Sequence, residues 1–116
     1  MSEMPPPKKN IVVSDNKSTR IIPTETIIYV VACGPYSLIY SKNGEEIVWS
    51  KTLKFAYEHL DEDNFIRIHK GHIVNIKEVV HYRRGRGGIA VLSNGTEVAV
   101  AFRRKVHFLE RYMRSA

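Results

Sequence analysis

The sequence predicts a mainly β domain of about ten short strands in small antiparallel sheets, with one mid-chain helix and one C-terminal helix. Three observations carry this. Short runs rich in Ile, Val and Tyr recur along the chain, and Gly, Asn, Ser or Pro interrupts them at nearly even intervals. Only two segments, around 53–60 and 103–113, change to helical spacing. With 116 residues, 43% hydrophobic and 26% charged, the chain has the composition of one folded domain with one core.

The elements follow in order. Ile11-Val12-Val13 and Thr19-Arg20-Ile21-Ile22 flank the turn residues Ser14 to Lys17, which is hairpin patterning. Pro23 ends the second strand because it cannot donate to a ladder. Ile27 to Ala32 is apolar on both faces and is therefore expected at the centre of a sheet. Gly34-Pro35 breaks it and Tyr36 to Ser41 resumes. Asn43-Gly44 predicts a type I′ turn, in which both central residues take positive φ, leading to a strand at Glu46 to Trp49.

Ser50 or Thr52 can cap a helix whose apolar positions are Leu53, Phe55, Ala56, Tyr57 and Leu60. Phe65, Ile66 and Ile68 return to β character, and Ile73-Val74 follow a break at Gly71. Val79–Tyr82, Ile89–Leu92 and Val98–Ala101 read as a three-strand meander with turns at Arg83–Gly88 and Ser93-Asn94-Gly95. An amphipathic helix from Arg103 to Met113 closes the chain, with Val106, Leu109 and Met113 as its apolar stripe.

Residues 1–9 read as a disordered Pro/Lys tail, since Pro5-Pro6-Pro7 favour polyproline II, and the folded domain spans 10–116. The longest apolar run, Ile27 to Cys33, is far short of the ~20 residues a membrane helix needs, and the N-terminus lacks a signal-peptide core. Cys33 stands alone, so no intrachain disulfide forms. The expected location is the cytoplasm, with no membrane partner.

Charge is unevenly placed. Residues 1–65 hold seven Lys/Arg against nine Asp/Glu, a balance of −2; residues 66–116 hold eleven against three, a balance of +8. The basic half is the candidate surface for a polyanion.

No constellation supports catalysis, a metal or a cofactor. His69 and His72 are three apart on a β segment, a spacing expected to put them on opposite faces, without a third ligand nearby. Cys33 ends an apolar strand without a base, and the acids cluster in the loop Asp61 to Asp63. Arg83-Arg84-Gly85-Arg86-Gly87-Gly88 joins two strands, so it is not a phosphate loop of the strand-to-helix kind. The glycines suggest a turn too mobile for base reading. Strand parity brings this turn to the same end as Arg103-Arg104-Lys105, and the Cys33–Ser37 break to the same end as Ser50–Thr52.

The run Phe65-Ile66-Arg67-Ile68-His69-Lys70-Gly71-His72-Ile73-Val74-Asn75 resembles the signature of the LytTR family of bacterial DNA-binding domains. Thr26–Val30, Tyr36 and the 53–60 helix are similar to the family's opening half. Asn94-Gly95 and Val98–Val100 running into a basic helix are similar to its close. The resemblance implies an elongated, mostly β fold whose loops enter successive major grooves of double-stranded DNA at imperfect direct repeats in promoters.

It places base contacts at Tyr36, Lys70 and Arg103. The expected DNA backbone contacts are Ser37, Lys51, Thr52, His69, Arg84, Arg86, Arg104 and Lys105. Gly71 replaces a usual serine and Ala101-Phe102 a usual Ser-Arg. Family members commonly act as output domains of two-component response regulators, joined to a receiver or a membrane segment. Neither is visible here, which leaves an excised domain and a minimal regulator both open.

The leading expectation is a non-enzymatic, sequence-specific transcriptional regulator, with a homodimer on DNA as the expected assembly. The alternatives are a protein-interaction module, and RNA binding through the Arg83–Gly88 loop.

Overall fold

A computed structural model describes residues 9–115. Residues 1–8 of the expected tail lie outside the described residues. Lys9 belongs to the fold, because its carbonyl accepts from the Thr24 amide at 2.7 Å and the Thr24 hydroxyl at 3.0 Å.

The first hairpin joins β1 (Asn10–Ser14) to β2 (Thr19–Pro23), and its turn is organised by Asp15, whose carboxylate accepts from the amides of Lys17 and Ser18 at 2.8 Å each. A five-stranded antiparallel sheet follows, containing β3 (Ile27–Cys33), β4 (Tyr36–Ser41), β5 (Glu46–Trp49), β6 (Phe65–His69) and β7 (His72–Asn75) in the order β5-β4-β3-β7-β6. β3 is central, as its two apolar faces require. The smaller sheet is β8 (Val79–Arg83), β9 (Ile89–Leu92) and β10 (Glu97–Ala99), in the order β10-β9-β8.

Both faces of the larger sheet are buried, each in a separate core. Ile27, Val30, Ile39, Trp49, Phe65 and Ile73 meet the first hairpin and helix α1 (Leu53–His59) through Ile11, Val13, Ile22, Leu53, Ala56 and Leu60. Ile28, Tyr29, Ile66, Ile68 and Val74 meet the smaller sheet and helix α2 (Lys105–Arg114) through Val79, Ala90, Leu92, Val98, Val100 and Phe108. The described residues extend 43 × 39 × 24 Å, with a radius of gyration of 14.4 Å. A rounded chain of this size would have about 13 Å, and with two long axes and one short one the body is flattened rather than spherical.

Three local expectations are corrected. At Asn43-Gly44 only Gly44 takes positive φ, +88°, so the turn is not type I′. Gly44 N–H donates to the Ser41 carbonyl at 3.0 Å and Ser41 N–H to Glu45 at 2.9 Å, while the Asn43 side chain accepts from the Glu45 amide. This is a three-residue loop ending in a left-handed glycine. Asn94-Gly95 repeats the arrangement between Leu92 and Thr96.

The last strand ends at Ala99, because the Val100 amide turns to Gly88 and the Ala101 amide to Ile68 on β6. The closing helix begins with a 3-10 turn, Phe102–Arg104, and buries Phe108 with Leu109 and Tyr112 beside it. Val106 and Met113 are 69% and 70% exposed. The buried stripe is rotated from the expected one because the aromatic pair Phe108 and Tyr112 packs toward Tyr82.

Candidate nucleic-acid interface

The basic residues reach the surface through connections at the ends of these strands. Gly34, at φ +61°, turns β3 into β4, and Tyr36 opposite Cys33 is 41% exposed. Ser37, next in line, is fully buried and its hydroxyl donates to the Lys51 carbonyl at 2.8 Å. The expected phosphate contact by Ser37 is therefore corrected: the hydroxyl is consumed in fastening β4 to the approach of α1. Of the two candidate caps, Thr52 is the one used, accepting from the Phe55 amide at 3.2 Å, so its hydroxyl too has an internal duty. Lys51 is exposed, its ammonium 4.8 Å from the centre of the Phe55 ring.

The second connection is the turn between β6 and β7. His69 and His72 are cross-strand partners with ring centroids 5.3 Å apart, which overturns the expectation of opposite faces. The chain reverses at Lys70-Gly71, so residues three apart become neighbours across a hairpin. His69 Nδ1 accepts from the Gly71 amide at 3.1 Å, and the Gly71 carbonyl accepts from Ala32 at 2.9 Å. Arg67 donates from Nη2 to the Lys70 carbonyl. Lys70 is exposed. Burial, and then the neighbouring His69, lower the pKa of His72 below the ordinary histidine value. Among the described residues no group of three or more His, Cys, Asp and Glu side chains is arranged to hold a metal ion.

The third connection is the arginine-glycine turn. Its expected slackness is not what the contacts describe. Tyr82 donates its hydroxyl to the Gly87 carbonyl at 2.8 Å, Lys105 donates to the Gly85 carbonyl at 3.2 Å, and the Arg86 guanidinium lies 4.8 Å from the centre of the Phe102 ring. A Cβ on Gly87 would stand 1.9 Å from the Val100 carbonyl oxygen, so glycine here serves close packing. The two arginine clusters meet as strand parity implies. Arg84 and Arg103 are exposed, while Arg104 is half-buried and donates to the Arg67 carbonyl at 3.3 Å.

Hydrogen bonds link these connections in series: Ser37 to Lys51, Ala32 to Gly71, Ala101 to Ile68, Arg104 to Arg67, and Lys105 to Gly85. The segments 33–37, 50–54, 67–72, 84–88 and 101–105 contain no Asp or Glu. The ion pairs Arg20–Glu45, Lys42–Glu78 and Arg83–Glu97 lie outside them. Sequence reasoning left Arg67 out, although its place in the signature run and its charge marked it. Among the described residues no helix is long and apolar enough to cross a membrane.

A series of acid-free loops along stacked antiparallel sheets, four of the five carrying Lys or Arg, defines a β-rich nucleic-acid-binding domain. Residues 17–113 match the LytTr DNA-binding domain, and the chain belongs to that family. Over 80 residues it is 31% identical to the CO-responsive transcriptional regulator RcoM of Rhodospirillum rubrum. That match takes in 68% of this chain and 34% of the relative, so the chain spans about a third of that protein's length. Its fold is similar to the LytTr DNA-binding domain of a Bacillus cereus protein described as a methyl-accepting/DNA response regulator. There the TM-score is 0.76 at 17% identity, covering 89% of this chain and 95% of the other.

Proposed function

We propose that this domain is a non-catalytic, sequence-specific reader of double-stranded DNA in a transcriptional regulator, which sets its loops into successive major grooves at imperfect direct repeats. The observation that carries the reading is the series of hydrogen-bonded loops, four of the five carrying Lys or Arg and none a carboxylate. In this reading Tyr36, Lys70 and Arg103 meet base edges, and Arg103 brings a planar fork suited to guanine O6 and N7. Lys51, His69, Arg84, Arg86, Arg104 and Lys105 meet phosphates, while Ser37 and Thr52 hold Lys51 in place. The name of the Rhodospirillum rubrum relative favours regulation of transcription, and the Bacillus cereus protein's description favours an output role in a response regulator. Two copies occupy the two repeats.

Electrophoretic titration against double-stranded DNA selected from a random pool, with single-stranded RNA in parallel, tests this. Binding to the selected duplex with a log K that falls steeply with log salt, by about 0.9 per phosphate contacted, is the expected result. Equal affinity for RNA, or for unselected duplex, would overturn sequence-specific DNA reading.

A further inference from the structure

Arg67 is the loop cation to which the DNA reading assigns no duty. It lies in β6, half-buried, and Nη2 is committed to the Lys70 carbonyl. Its Nε–H is buried with no acceptor among the described residues. Arg104 arrives from the 3-10 turn before α2 and donates to the Arg67 main-chain carbonyl, which brings a second guanidinium to the same residue of β6. Segments 65–72 and 98–109 contain no carboxylate to offset them. Burial, and then the Arg104 charge, lower the pKa of Arg67 from the ordinary arginine value. A buried donor without an acceptor and two neighbouring like charges both oppose folding, and both are relieved by one anion with several acceptor oxygens.

We propose that Arg67 and Arg104 form a single phosphate seat, filled by one DNA backbone phosphate, and that filling it fixes the Lys70 turn. The link to Lys70 is direct, since the guanidinium that would grip the phosphate also holds the Lys70 carbonyl. Anchoring and base reading are thereby joined through one side chain. The identity of the phosphate's source rests on the DNA reading above; the seat itself does not.

The test has two arms on the full chain. Without DNA, thermal unfolding is compared in sodium phosphate and sodium chloride at equal ionic strength. Phosphate is expected to raise the melting temperature above chloride, and Arg67→Gln and Arg104→Gln are each expected to abolish the difference. If Arg67→Gln does not fold, Arg104→Gln gives the same reading. Identical melting in the two salts, or a phosphate shift retained in Arg104→Gln, would overturn the seat.

With the selected duplex, Arg104→Gln should lower the salt slope by about 0.9. A neutral methylphosphonate at one backbone position should weaken the native protein but cost Arg104→Gln nothing further. A phosphate shift with no such position would make free phosphate the ligand and overturn the DNA assignment. A duplex that the native protein does not bind at all would instead remove the DNA reading and leave the seat standing.

Discussion

The Tyr82 hydroxyl and the Gly87 carbonyl are joined at 2.8 Å, so the turn carrying Arg84 and Arg86 is fastened to the strand that leads into it. Gly87 itself and Gly88 after it are confined, the first by the Val100 backbone and the second by the same tyrosine ring.

Gly87→Ala should therefore destabilise the domain by ~2–4 kcal/mol, because its Cβ would meet the Val100 carbonyl oxygen at 1.9 Å. Gly88→Ala should behave alike, with φ at +91° and the Tyr82 ring in its path. Gly85→Ala, with only ordinary 3.7 Å contacts, should stay within ~0.5 kcal/mol. Urea unfolding midpoints of the three variants check this.

Ser37→Ala should cost ~1–3 kcal/mol of stability, since it removes the hydrogen bond from a fully buried hydroxyl to the Lys51 carbonyl. Thr52→Ala should cost ~1 kcal/mol as a lost cap. Neither should alter the salt slope of DNA binding, whereas a phosphate ligand would lower it. Denaturation and binding titrations on the same protein samples separate the two roles.

Lys70→Ala and Arg103→Ala should each cost ~1–3 kcal/mol and relax preference at particular base pairs. Arg84→Ala should weaken all sequences alike and reduce the salt slope by about 1. Arg86→Ala should do the same and also uncover Phe102. Binding to the selected site and its single-base variants at several salt concentrations reads all four.

Gly71→Ser should leave the fold intact, because a Cβ there meets only His69 Nδ1 at 3.7 Å. It should strengthen DNA binding by up to about 1 kcal/mol through a new hydroxyl donor beside Lys70. Affinity measured against unchanged unfolding curves would show it; a weaker complex would contradict it.

His72 has its folded-state pKa lowered by burial and by His69. The unfolded chain then binds the extra proton more readily, so this contribution to stability is present above the usual histidine value of about 6.5 and lost as pH falls through the lower folded value. Stability should decline from pH 7 toward 5, and His72→Gln should flatten that decline. Urea midpoints across the range supply the test.

Much of this architecture was legible in the chain because local chemistry decided it. The apolar doubleness of Ile27–Ala32 fixed a central strand, Thr52 capped where a hydroxyl preceded helical spacing, and strand parity brought Arg86 beside Phe102. What escaped depended on contacts far apart in sequence. Ser37 looked like a surface hydroxyl until the Lys51 carbonyl claimed it, and His69 faced His72 only once Lys70-Gly71 had reversed the chain. The sequence alone does not select the buried stripe of α2, because Val106 and Met113 are as apolar as the positions that are buried. Only the packing of Phe108 against Tyr82 selects the inner face.

The five-stranded sheet, enclosed between two separate cores, works as a ruler. Lys51 stands beside the core built on α1, and Arg103 beside the one built on α2. The layers of side chains packed on the sheet's two faces lie between these cations. On the proposed DNA reading, Phe108→Leu, which thins one layer, is expected to change which separations along a duplex are bound while leaving the preferred base at each point unchanged. On that reading, tolerance for spacer length would belong to side chains that never touch nucleic acid, free to drift independently of the letters being read.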